Sequence, residues 1–202
     1  MIQRLFRPFD RVSGPQALAF GLIVLVVTAL IAARSGLRSD SLLDLQFGPP
    51  APEWQLIVQG LINWLAMAAA LLVAGRWLSR ERFAGLDLFG VQAAARWPLL
   101  ASVIYLSIPP LGGRIRALTE RLLGAMPTEP GQVMADAAYM GDAFLLTLLG
   151  LPLLAFLGWT LWLMWHGYQA VTGVRGPQAA FSFAGALVAA HILSTLGNLL
   201  LA

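Results

Sequence analysis

Polar side chains able to do chemistry recur at helical spacing in two stretches of this sequence. His191, Ser194, Thr195 and Asn198 stand at i, i+3, i+4 and i+7 in "AAFSFAGALVAAHILSTLGNLLLA", so one helix face would carry all four. Gln55, Gln59 and Asn63 recur every four residues in "QLIVQGLINWLAMAAALLVAG" and would form a second polar stripe. Imidazole, hydroxyl and carboxamide groups on facing helices can relay a proton or hold a polar ligand inside a membrane. The plainer alternative gives them no function: a neutral His191 hydrogen-bonded across helices to Asn63 or Gln59.

The surroundings of these groups decide their solvent. The chain has 202 residues, 58% of them hydrophobic and 11% charged, less than half the charged share of roughly a quarter in soluble domains. Mean hydropathy is +0.74. There is no Cys, which excludes a disulfide framework, a thiolate metal site and a cysteine nucleophile. The 13 basic residues are all Arg, an imbalance that points to a GC-rich coding bias and a bacterial source. They are scattered singly near the ends of apolar runs, so no continuous basic face exists for nucleic acid. Anchoring of cytoplasmic loops explains them better.

Five apolar runs follow one another, and the expected fold is all-α: a polytopic membrane helix bundle of about five transmembrane helices. Residues 1–16, with Arg4, Arg7 and Arg11 among Leu5, Phe6 and Phe9, read as a cytoplasmic interfacial arm ahead of a transmembrane domain of residues 17–202. The first span is 17–33, where a cleaved signal peptide is the competing reading. The second is 55–75, after a loop that Pro49, Pro50 and Pro52 keep from being helical. Residues 76–97, with Arg76, Arg80, Arg82 and Arg96 among aromatic and leucine side chains, read as a segment lying on the membrane surface. The third span, 98–112, is short and ends at Pro109-Pro110. The fourth, 143–165, contains Pro152 and is followed by a polar, Gly-rich turn over 166–178; the fifth is 179–201. Trp, Tyr and His side chains gathered at 159–168 suit the boundary between hydrocarbon and headgroups.

Every Asp, Glu and Arg falls outside these runs, which leaves His191 as the one ionisable group at depth. Small residues form a ridge on the fifth span: Ser182, Ala186, Ala190 and Ser194 repeat every four residues, with Gly185 and Ala189 beside them. Such a ridge lets another helix approach closely, from the same chain or a second copy. His166 has no second His or carboxylate at ligand spacing, so no metal site and no cofactor is expected. The G-x-S-x-G, H-E-x-x-H, Walker A and G-x-G-x-x-G patterns are absent, and no catalytic residue is assigned.

The stretch "LLTLLGLPLLAFLGWTLWLMWHGYQAVTGVRGPQAAFSFAGALV" resembles the Yip family, the Ypt/Rab-interacting integral membrane proteins. Trp162, Leu163, Gly167, Val174 and Ala179 follow the family's order, and "ASVIYLSIPPL" looks like its Pro-ended middle span, with Tyr105, Ser107 and Pro109. The likeness extends loosely over residues 15–202. It implies five helices, a cytoplasmic N-terminus and an outward C-terminus. For eukaryotic relatives, which carry a long cytoplasmic N-terminal region where this chain has about sixteen residues before its first span, it implies vesicle trafficking and binding of prenylated small GTPases. What carries over is the architecture and a membrane-organising or scaffold role without catalysis. Its partners would be the lipid bilayer and either a second copy or another membrane protein. A small permease or channel component with a polar site around His191 is the alternative.

The expected location is a bacterial cytoplasmic membrane. Eight arginines fall on the side shared by the N-terminal arm, the loop 76–97 and the turn 166–178, against five on the other side, which puts the N-terminus in the cytoplasm. A reporter fused after Ala202 is therefore expected to read extracytoplasmic and one inserted near Gly85 cytoplasmic; the opposite pair would reverse the orientation.

Overall fold

Each apolar run becomes a helix because peptide groups in hydrocarbon must bond within their own segment, and several of the helices stop beside a Gly or Pro, at Gly36, Pro109 and Gly173. The computed structural model describes residues 14–39, 45–49, 51–79, 82–124 and 137–201. The elements are α1 (Gly14–Ser35), β1 (Leu37–Arg38), β2 (Gln46–Phe47), α2 (Glu53–Leu78), α3 (Gly85–Ala94), α4 (Trp97–Ser107), α5 (Pro109–Gly124), α6 (Ala137–Thr172) and α7 (Gly176–Leu199). The fold is an all-α bundle; its two short strands pair antiparallel, Leu37 with Phe47 and Arg38 with Gln46. Residues 1–13 of the expected interfacial arm lie outside the described residues, and Gly14 to Gln16 already belong to α1.

The helices α1, α2, α6 and α7 are long and apolar enough to cross a membrane, and α3–α4 together with α5 forms a fifth candidate span bent by 85°. Hydrogen bonds tie the helix ends into two layers. On one side Ser79 Oγ donates to the Thr172 carbonyl at 2.7 Å, joining the ends of α2 and α6. On the other, Ser35 Oγ meets Ser107 Oγ at 2.7 Å and Gln55 Nε2 donates to the Leu201 carbonyl at 3.2 Å. Between these layers sit two apolar cores. One gathers Met67, Leu71, Leu88, Leu163, Tyr168 and Phe183; the other gathers Ala29, Leu37, Leu56, Val103, Leu106 and Ile115.

The third span differs from expectation. Residues from Gly85 onward do not lie on a surface: Leu88, Gly90, Val91, Gln92, Ala93 and Ala94 are buried in α3. At Ala95–Arg96 the chain tightens, with Arg96 N–H bonding the Ala93 carbonyl at 3.3 Å and Leu99 N–H the Arg96 carbonyl at 2.9 Å, and α4 then continues. From Gly85 to Ser107 this gives about 34 Å at a rise of about 1.5 Å per residue, long enough for a crossing, where the expected span was the short 98–112. Small residues cause the difference. A Cβ on Gly90 would land on the Gly14 carbonyl oxygen, and one on Gly21 would strike the Ala93 backbone, so α1 and α3 approach backbone to backbone.

Pro109 and Pro110 open α5, where a missing N–H costs no helical bond. This helix buries Ile115 and Leu118 and turns Arg114, Arg116, Glu120 and Arg121 outward, the pattern of a helix lying across one end of the bundle. The fourth helix is longer than 143–165 and passes through Pro152 to Thr172, where Gly173 at φ 70° ends it. Gly167 does not interrupt the helix between Trp165 and Thr172, so the expected turn over 166–178 shrinks to Gly173–Arg175. The aromatic group at 159–168 is correspondingly part of the packing: Tyr168 is fully buried, Trp159 meets Trp97 edge-on at 4.4 Å and Trp165 meets Phe183 at 5.3 Å.

Overpacking the α1–α3 contact is expected to be costly. Gly90→Val should destabilise the protein by about 3 kcal/mol or more, measured by thermal unfolding in detergent. Gly185→Val, where nothing lies within 4 Å, should stay close to the parent; equal effects at both positions would refute the close crossing.

Candidate functional site

Where the two apolar cores meet, the bundle carries a polar layer. Asn63 and Gln59 project from α2, each 2% exposed, and Asn198 reaches in from α7 at 4%. Asn198 Nδ2 donates to Asn63 Oδ1 at 2.9 Å, and Asn63 Nδ2 donates to Ser39 Oγ at 3.2 Å. The pairing arises because α7 turns the line Ala186, Ala190, Ser194, Asn198 toward α2, and small residues early in that line let the helices close on one another.

The centre of the layer is Arg96, which no polar stripe announced. It is 8% exposed at the junction of α3 and α4, and its Nη2 donates to the Asn63 backbone carbonyl at 2.7 Å. Its Nε has no partner, and neither does Oε1 of Gln59. A cavity of about 110 Å³ adjoins both. Its walls are Val24, Thr28 and Ala32 of α1, Leu56, Gln59 and Asn63 of α2, and Leu99 and Val103 of α4, while Leu37 and Arg38 of β1 and the adjoining Ser39 and Leu45 line one end. A guanidinium in a largely apolar chamber with no Asp, Glu or His among the described lining residues is suited to holding an anion, not to activating water or moving a proton.

The expected polar cluster is assembled in part and rearranged. Gln59, Asn63 and Asn198 share the layer. Ser194 is buried too, but its Oγ returns to the His191 carbonyl at 3.0 Å, and Thr195 Oγ1 is buried without a partner. His191 is exposed on the outer face of α7, and its ring meets neither Asn63 nor Gln59. The reason is angular: one residue past Ala190 is a rotation of about 100°, enough to swing the ring off the face turned toward α2.

The small-residue ridge divides in the same way. Ala186 and Ala190 are buried, whereas Gly185 and Ala189 are exposed on the outside. Ser182 accepts or donates a 3.0 Å hydrogen bond with the Tyr168 hydroxyl, tying α7 to α6. Among the residues that carry the Yip likeness, Leu163, Gly167, Val174 and Ala179 are buried and Trp162 is exposed against His166, with ring centroids 4.0 Å apart. Tyr105 donates its hydroxyl to the Leu149 carbonyl at 2.9 Å, and Pro109 begins α5.

Two further groups escaped the sequence pattern. Gln92 is wholly buried and donates Nε2 to the Met164 carbonyl at 2.9 Å, and Trp64 Nε1 donates to the Phe89 carbonyl at 3.1 Å. Each depth-buried donor thus seeks a backbone oxygen of a neighbouring helix. For Arg96 a signal did exist: between Asp87 and Arg114 it is the sole charge in an otherwise uncharged stretch long enough to span.

No family model, curated protein or solved structure matches this chain.

The Asn63–Asn198 bond should behave as an ordinary interhelical contact in a membrane. A double-mutant cycle with Asn63→Ala and Asn198→Ala is expected to return a coupling of about 0.6 kcal/mol and not above roughly 2 kcal/mol. No coupling at all would mean that the two side chains do not meet.

Proposed function

We propose that this chain is a non-enzymatic integral membrane protein that binds an anionic ligand within the bilayer, as a binding or permease component. The observation that carries this reading is Arg96: a mid-span guanidinium, 8% exposed, with an unpartnered Nε beside a cavity and no bonded carboxylate among the described residues. A lone buried charge is strongly destabilising unless something neutralises it, so a bound anion gives the site a purpose that a purely structural role lacks. The polar site of the permease alternative thereby moves from His191 to Arg96.

The cell membrane in question is, on this proposal, bacterial and cytoplasmic, with the N-terminal side inward. Burial of Arg96 takes one arginine from the inward count and leaves seven against five, still in the same direction.

A membrane-organising scaffold of the Yip type is the second reading, favoured by one observation. Gly185 and Ala189 lie open on the outer face of α7 beside exposed Phe181, Val188 and Ile192, where a second helix has room to approach.

Thermal unfolding of the purified protein against a panel of anions distinguishes the two. Ligands that occupy the site should raise the midpoint of the parent protein, reflecting a stabilisation of about 2.7 kcal/mol at a hundred times the dissociation constant. Arg96→Gln should abolish that gain. If no anion stabilises the parent protein while Gly185→Cys crosslinks copies in native membranes, the scaffold stands and the anion site falls.

A further inference from the structure

We infer that the ligand of the Arg96 cavity is the ionised head of a single-chain fatty acid, its carboxylate on the guanidinium and its chain leaving between α1 and α2. This inference rests on the Arg96 cavity being a ligand site, and it adds the chemical class of the ligand.

Three features select that class. The first is the donor set. Nη2 of Arg96 is committed to the Asn63 carbonyl while Nε is open, so one edge of the planar guanidinium remains for an incoming oxygen. Gln59 stands beside it with an unpartnered carboxamide oxygen, and a half-turn of that amide presents N–H to a second oxygen. Two donors on neighbouring side chains match the two oxygens of a carboxylate.

The second is volume. A cavity of about 110 Å³, against roughly 10–15 Å³ needed to admit one water, has room for a carboxylate and the first carbons of a chain. Water alone would fill the volume but would leave the charge of Arg96 without a counter-ion among the described residues.

The third is the exit. Leu25 and Thr28 of α1 and Gly60 of α2 line the cavity and are each only half-buried, so this wall is also the outer surface of the bundle. Leu25 lies close to the side-chain-free edge of Gly60, where an added Cβ would stand 3.2 Å from it. An acyl chain emerging there enters the lipid from which it came, and its methylene groups exchange one hydrocarbon setting for another.

The test uses full-length protein stripped of lipid in a non-ionic detergent, with binding read by native mass spectrometry and by thermal unfolding. Palmitate should bind one per chain and raise the unfolding midpoint, whereas hexadecanol, of similar length but uncharged, should do neither. Arg96→Gln should weaken palmitate binding at least about tenfold. Thr28→Leu, which keeps Arg96 and narrows the cavity, should weaken it as well, so the outcome does not depend on Arg96→Gln folding. Equal binding of palmitate and hexadecanol, or of palmitate to parent and both variants, overturns the inference. If phosphatidylglycerol binds through Arg96 and palmitate does not, the fatty-acid assignment fails while the anion site survives. If no anion binds, both fail.

Discussion

Backbone contact between α1 and α3 is the constraint from which the remaining architecture follows. Gly14, Gly21 and Gly90 carry no side chain where the two helices cross, and any Cβ there would meet main-chain atoms of the other helix. In hydrocarbon, where apolar side chains gain nothing by leaving water, such close packing and the hydrogen bonds it allows are what hold helices together. The crossing draws Gly85–Ala94 off the membrane surface and into the bundle. Arg96, eleven positions after Gly85, is carried to mid-depth as a result.

Once an arginine is at that depth, its surroundings have to answer for it. The Asn63 carbonyl accepts one N–H, Asn63 and Asn198 bond to each other beside it, and the strand pair Leu37–Arg38 and Gln46–Phe47 folds back to close the chamber. The polar layer separates two apolar cores that could each have been continuous with the other. A protein that needed only stability would gain from filling that layer with leucine, since buried charges are commonly neutral or unfavourable beside apolar replacements of equal size.

Much of this was legible from residue order, and the part that was not has specific physical causes. Runs at 17–33 and 55–75 lie inside α1 and α2, and 179–201 coincides with α7 up to Leu199, because uninterrupted apolar sequence of that length has few other stable forms. Gln59 and Asn63 were visible as a stripe because helical periodicity survives in sequence. The third span was misplaced because a segment holding Asp87, Arg96, several aromatic residues and small residues suits a membrane surface by composition. Only the partner helix shows that Gly90, Ala93 and Ala94 are a docking face. His191 was misassigned for a related reason: spacing says which residues share a helix side, but not which edge of that side the neighbouring helix covers. Tyr168 and Trp159 have the composition of interfacial rings, whereas the unbroken run of α6 to Thr172 sets them among α3, α4 and α7.

The sharp turn at Ile108 has a bearing on depth. Because α5 leaves α4 at 85° and presents arginines on one side and Ile115 and Leu118 on the other, it behaves as a float at the waterline. Arg96 hangs beneath it on α4 at about 18 Å, counting about 1.5 Å for each residue, close to half of a hydrocarbon layer about 30 Å thick. With α5 at a membrane surface, the length of helix from Ile108 back to Arg96, and not the thickness of the bilayer, would set how deep the guanidinium lies below that surface.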